Sequence, residues 1–299
     1  MKLSERLIDP KSPERRPRRA AYALPAMFTA GNLFLGFLAI TKAFEGAMYA
    51  LKGSLGHNPH WEAASIMIGV AVFLDGLDGR IARMTNTVSE FGRELDSLAD
   101  VITFGVAPAI LAWTFGIQFL GQEVDAALRE QIRQGGYFAS FLFLLCGASR
   151  LARFNIQDNP IPKNPGRPGR KYFVGLPIPA AAGMVAAIIY AVNSQPIENW
   201  MFAVAWIGLL IMLSTLMVST WRYRSFKDFN LFSPGSPWSV IRFGCLIYLL
   251  WNYSQAVLLA MATVYCGSGI VIRIGGAIKR RFSKQMPPAP HPHTGLGNA

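Results

Sequence analysis

The stretch "FLDGLDGRIARMTNTVSEFGRELDSLAD", residues 73–100, sits between two long apolar runs. It holds six of the chain's seventeen acidic residues and only three arginines, in a chain of net charge +12. The flanking runs decide the setting. Each is near twenty residues, about what a helix needs to cross roughly 30 Å of hydrocarbon. Such runs recur along all 299 residues, of which 52% are hydrophobic and 15% charged. That recurrence excludes a soluble one- or two-domain protein.

The pattern predicts an all-α, polytopic membrane protein with about eight transmembrane helices. They fall near 21–45, 61–83, 95–117, 135–154, 175–193, 200–220, 238–253 and 256–275. A turn at "NYSQ" (252–255) separates the last two; one long kinked helix there would reverse the C-terminus. The basic residues test this count, because short loops rich in Lys and Arg stay in the cytoplasm. Eight spans put 25 of the 29 on one face and leave Lys42, Lys52, Arg129 and Arg133 on the other. Both termini are then cytoplasmic, in a multi-pass protein of the cytoplasmic (inner) membrane.

The expected organisation is a basic segment over 1–20, a transmembrane core over 21–220, and a cytoplasmic loop with two further helices over 221–276. A disordered tail follows over 277–299, where "KQMPPAPHPHTGLGNA" is Pro-rich and polar. The N-terminus is no cleaved signal peptide, because its apolar run continues into a full span. The sequence pI of 9.9 needs no nucleic acid. A basic rim gains roughly 1 kcal/mol per Lys or Arg beside anionic lipid. Cys146, Cys245 and Cys266 lie inside apolar runs without paired spacing, as packing residues do.

Asp75 and Asp78 are three residues apart near the end of the second span, and Asp96 and Asp100 are four apart at the start of the third. Each spacing puts a pair on one helical face. A short loop joins the two helices as antiparallel neighbours, so the faces can meet. Ionised groups in a bilayer are costly, and like charges at close range oppose one another's ionisation. A divalent cation resolves both problems. All-oxygen ligation selects Mg²⁺, Mn²⁺ or Ca²⁺ over zinc.

Gly79 and Ala82 lie on the stripe of Asp75, and Gly92 lies four residues before Asp96. They leave room for a ligand where the acids point, and Arg83 follows on the same side, able to meet a phosphate. The plainer account makes paired Asp residues solvated helix ends and the glycines packing sites. Two acidic pairs with small residues on both matching faces argue against it. Glu90 and Glu94 read as loop or cap acids.

Taken together, these positions resemble the signature of the CDP-alcohol phosphotransferase family, D-x2-D-G-x2-A-R-x8-G-x3-D-x3-D. Asp75, Asp78, Gly79, Ala82, Arg83, Gly92, Asp96 and Asp100 occupy every fixed position. The resemblance implies a six-helix catalytic core and a dinuclear Mg²⁺ or Mn²⁺ site, with both metals bound to the pyrophosphate of a CDP-linked donor. Carried across, Asp75, Asp78 and Asp96 are ligands, and Asp100 is ligand and general base. Gly79, Ala82, Arg83 and Gly92 line the donor, and Thr29 and Asn32 of "MFTAGN" (27–32) lie near the nucleotide. From the residues alone, Thr29 and Asn32 read as ordinary interhelical hydrogen bonders.

Three further stretches resemble bacterial members that make phosphatidylserine: "GASRLARFN" (147–155), "KYFVGLPIPAAAG" (171–183) and "LMVSTWRYRSFKD" (216–228). They imply CDP-diacylglycerol as donor and L-serine as acceptor, with a homodimer common in the family. Arg150, Arg153 and Lys171 would then meet the serine carboxylate or the donor phosphates; the alternative is snorkelling cations at a helix end. Phe154, Tyr172 and Phe173 read as interfacial aromatics. Glycerol 3-phosphate, an inositol phosphate or choline stay open as acceptors. A divalent-cation transporter is disfavoured, because its acids belong near the midplane in repeated halves and the second half has no counterpart here.

Overall fold

The computed structural model describes residues 19–53, 56–85, 90–121, 125–156, 172–224 and 237–283. Its helices are α1 (Arg19–Leu51), α2 (Pro59–Thr85), α3 (Glu90–Gly116), α4 (Ala126–Ile156), α5 (Ile178–Ala191), α6 (Trp200–Val218) and α7 (Pro237–Ser283). Two three-residue strands, β1 (Tyr172–Val174) and β2 (Arg222–Arg224), add a small antiparallel ribbon.

Helix α1 packs small side inward. Ala39, Ala43, Ala47 and Ala50 are buried along one face, while Phe34, Phe37, Phe44 and Met48 are exposed. This inversion follows from lipid as solvent: apolar bulk costs nothing outside, and close backbone approach holds helices together inside. Gly36 marks the closest approach, since a Cβ there would lie 2.4 Å from Thr103 Oγ1. Helix α2 follows the same rule, with Ala64, Ile68 and Ala71 buried and Ile66, Val70 and Phe73 exposed. Its buried Trp61 donates Nε1–H to the Ala43 carbonyl at 3.2 Å.

Helix α3 is not uniform. An α segment ends at Asp100, a π-helical stretch covers Val101–Val106, and α geometry resumes at Ala107. The Ala107 N–H reaches the Ile102 carbonyl, five residues back. Pro108 supplies a reason, because it has no N–H for the carbonyl of Phe104. The wide turn sits directly beside Asp100, as such stretches often do at functional sites.

Among the described residues, six helices are long and apolar enough to cross a membrane: Met27–Leu51, Pro59–Leu77, Glu90–Gly116, Ala126–Ile156, Trp200–Val218 and Gly244–Arg273. The predicted fifth span is the shorter apolar helix α5, whose 14 residues extend about 21 Å at 1.5 Å per residue. The predicted seventh and eighth lie on α7, which is helical throughout except for a kink at Tyr253 (φ −136°, ψ 39°). After the kink it docks on α5: Ser254 meets Tyr190, Gln255 meets Asn193, and Thr263 meets Met184. The helix continues to Ser283, past the expected start of the tail at 277; residues 1–18 and 284–299 lie outside the described set.

Candidate active site

Asp75 comes from the second half of α2, and Asp96 and Asp100 come from the first segment of α3. One carboxylate oxygen from each lies within 4.8 Å of the others. Asp75 and Asp100 are close enough to share a hydrogen bond. Asp100 is 8% exposed, and the other two are half-buried. Three acids this close repel unless a cation joins them. The set fits a hard divalent ion: it is oxygen only, and two metal–oxygen bonds of about 2.0–2.6 Å span roughly 4–5 Å.

Asp78, Gly79, Ala82 and Arg83 continue helix α2, and their side chains lie outside the described set. Gly92 is on α3, one turn before Asp96. Thr29 and Asn32 are both buried in α1. The Asn32 carbonyl accepts from Thr103 Oγ1 at 3.1 Å, which places it at the level of the π stretch, one turn beyond Asp100. The Asn32 side chain is 0% exposed, yet neither its Nδ2 nor its Oδ1 has a partner among the described residues. A buried amide left unmatched costs about 1–3 kcal/mol. Such a group is what a ligand-facing position requires.

Arg150 is 8% exposed and within electrostatic range of Asp100, Arg153 and Tyr265. Its Nε has no hydrogen-bond partner among the described residues. It is a buried cation, not a snorkelling one. Arg153 differs: its Nη1 donates to the Val218 carbonyl at 3.3 Å, satisfying an orphan acceptor at the end of α6. Lys171 lies outside the described residues.

The three stretches singled out after residue 146 converge. Tyr172 pairs with Arg224, Phe173 with Tyr223 and Val174 with Arg222, so the ribbon joins 171–183 to 216–228. Gly147 of α4 packs against Ile178 and Met217, and Arg153 ties that helix to Val218. Sequence reasoning missed Ser97 and Asn155, whose side chains cross-link α3 to α4 at 3.0 Å. The small polar pair at matching helix ends was the available signal. It also missed Tyr223, which is fully buried, and Tyr265, which sits in an apolar run that offers no signal.

Residues 22–221 match the family model described as CDP-alcohol phosphatidyltransferase. The chain is 36% identical over 214 residues to the CDP-diacylglycerol–serine O-phosphatidyltransferase of Helicobacter pylori (strain J99), covering 71% of this chain and 76% of the relative. Identity to the Bacillus subtilis (strain 168) protein of the same name is 34% over 204 residues, covering 68% and 91%. The archaetidylserine synthase of Methanothermobacter thermautotrophicus is 32% identical over 203 residues, covering 67% and 69%. The matched segment contains the acidic cluster, the unmatched Asn32 amide and the buried Arg150, and the chain belongs to the CDP-alcohol phosphatidyltransferase family.

Proposed function

We propose that this protein transfers the phosphatidyl group of CDP-diacylglycerol to the hydroxyl of L-serine, giving phosphatidylserine and CMP. The observation that carries the reading is a buried arginine, Arg150, set in electrostatic range of a gathered carboxylate cluster. The site offers anion binding and proton acceptance side by side. The names of the Helicobacter and Bacillus relatives support serine as the acceptor.

Asp75, Asp78, Asp96 and Asp100 would hold Mg²⁺ or Mn²⁺, as a dinuclear pair, whose chemistry there is to neutralise the pyrophosphate and polarise the phosphorus. Asn32, with Thr29 nearby on α1, turns its unmatched amide to the nucleotide, and Gly79, Ala82 and Gly92 leave space for it. Arg83 and Arg150 offer guanidinium groups to the substrate anions, the donor phosphates or the serine carboxylate. Asp100 takes the serine hydroxyl proton as that oxygen bonds to the lipid-linked phosphorus and the bond to CMP breaks. The acyl chains stay in lipid. The site faces the cytoplasm in a cytoplasmic membrane.

The test is CMP release by purified protein in detergent with CDP-diacylglycerol, Mn²⁺ or Mg²⁺, and each acceptor in turn. Serine-dependent release with phosphatidylserine formed is the expected result. Release with glycerol 3-phosphate, an inositol phosphate or choline instead overturns the acceptor and keeps the family chemistry.

A further inference from the structure

The hydroxyls of Thr41, Thr114 and Thr215 each donate to the carbonyl three residues back in their own helix. That is a common outlet for a threonine inside a helix. Thr103 does otherwise. Its Oγ1 crosses from α3 to α1 and donates to the Asn32 carbonyl at 3.1 Å. Both residues are 0% exposed. Gly36 makes the crossing possible. It follows Asn32 by four residues, on the same stripe of α1, and a Cβ there would lie 2.8 Å from the Thr103 Cα. The two backbones leave no room for a methyl group between them. The bond also falls at the site. Thr103 lies one turn after Asp100, inside the π stretch Val101–Val106, and Asn32 carries the buried amide whose Nδ2 and Oδ1 have no partner among the described residues.

We propose that Thr103 is a positioning residue whose hydroxyl fixes the register of α1 on α3, and so holds the Asn32 amide in place relative to the aspartate cluster. This rests on the reading of Asn32 as a nucleotide-facing group. Neither partner needs the bond for its own helix. The Thr103 hydroxyl could turn to a carbonyl of α3, and the Asn32 carbonyl lies mid-helix in α1 (Arg19–Leu51), where the ladder already supplies a donor. What the bond adds is direction. Lipid gives no hydrophobic force between helices, so their association depends on close packing and on such interhelical hydrogen bonds. Packing at Gly36 sets how near the two helices come, and the hydroxyl sets which carbonyl of α1 stands opposite the turn behind Asp100.

Thr103→Val removes the hydroxyl and keeps the shape of the side chain, while Thr103→Ser keeps the hydroxyl. The full chain in detergent with Mn²⁺ is titrated with CDP-diacylglycerol, and the KM of serine is measured alongside. Thr103→Val is expected to weaken donor affinity about three- to tenfold, the worth of one interhelical hydrogen bond, and to leave the KM of serine within about twofold. Thr103→Ser is expected to bind the donor like wild type, and Thr103→Val added to Asn32→Ala to weaken it no further. Unchanged donor affinity in Thr103→Val, an equal loss in Thr103→Ser, or full additivity with Asn32→Ala overturns the proposal while Asn32 keeps its role. A serine KM that rises as far as donor affinity falls means general loosening of the site, and overturns it too. Should Thr103→Val not fold, Gly36→Ala, which forces the same backbones apart, takes its place with the same expected loss. Asn32→Ala with unchanged donor affinity overturns the nucleotide-facing reading, and this proposal with it.

Discussion

Replacing Asp100 with Asn separates the two tasks assigned to that residue. The substitution keeps shape and removes a charge from a cluster whose oxygens lie within 4.8 Å of one another. At 4.8 Å and an effective dielectric near 20, two unit charges repel by about 3.5 kcal/mol, and by more at closer range. Metal-free Asp100→Asn protein should therefore melt no lower than wild type, and higher where all three acids are ionised. The stabilisation brought by Mn²⁺ should shrink, because one anionic ligand is gone. Transfer should fall by about 10²–10⁴, the usual contribution of a positioned general base, or about 3–5 kcal/mol of barrier. CDP-diacylglycerol binding should change far less, since the remaining acids and Asn32 are left in place. The assay pairs serine-dependent CMP release with melting curves in Mn²⁺ and in chelator. Full activity would remove the base assignment. A lower metal-free melting temperature with an unchanged Mn²⁺ response would show that the acids are not held in mutual repulsion, and the metal reading would fall.

Asn32→Ala should weaken donor affinity by about tenfold, the cost of roughly one hydrogen bond, while the melting temperature holds or rises because an unmatched buried amide is gone; a CDP-diacylglycerol titration checks it. Gly36→Ala drives a methyl against Thr103, with 2.4 Å to its Oγ1 and 2.8 Å to its Cα, and should cost about 1–3 kcal/mol as overpacking does. Gly31→Ala, with nothing within 4 Å, is the matched control and should melt like wild type. Chelation by EDTA should abolish CMP release, and added Mg²⁺ or Mn²⁺ should restore it; release that persists in chelator argues against metal dependence.

The acidic stretch was legible because its information is local. Two pairs at helical spacing, with glycines and an alanine on the same stripes, need only helix geometry to become a cluster. The six long apolar helices were legible for the same reason, since hydrocarbon thickness sets a length that sequence reports directly. The π stretch was not. Pro108 is visible in the chain, but Pro in a membrane helix can also kink it or simply be tolerated, and the choice depends on Thr103 closing on Gly36 in another helix. The last two predicted spans show the same limit: whether "NYSQ" turns or kinks depends on how Gln255 and Ser254 dock on α5.

By itself, then, the sequence determined the solvent of this protein, most of its helices and the gathering of three of its acids, because hydropathy, periodicity and spacing act within a few turns of one segment. Only the tertiary structure decided which distant stretches share the site. The β1–β2 ribbon joins 172–174 to 222–224, Arg153 separates from Arg150 by capping α6, and Tyr265 comes within range of Arg150 from more than a hundred residues away. Those pairings are made by backbone hydrogen bonds and close packing between elements. A single chain position carries no local record of the partner it will meet.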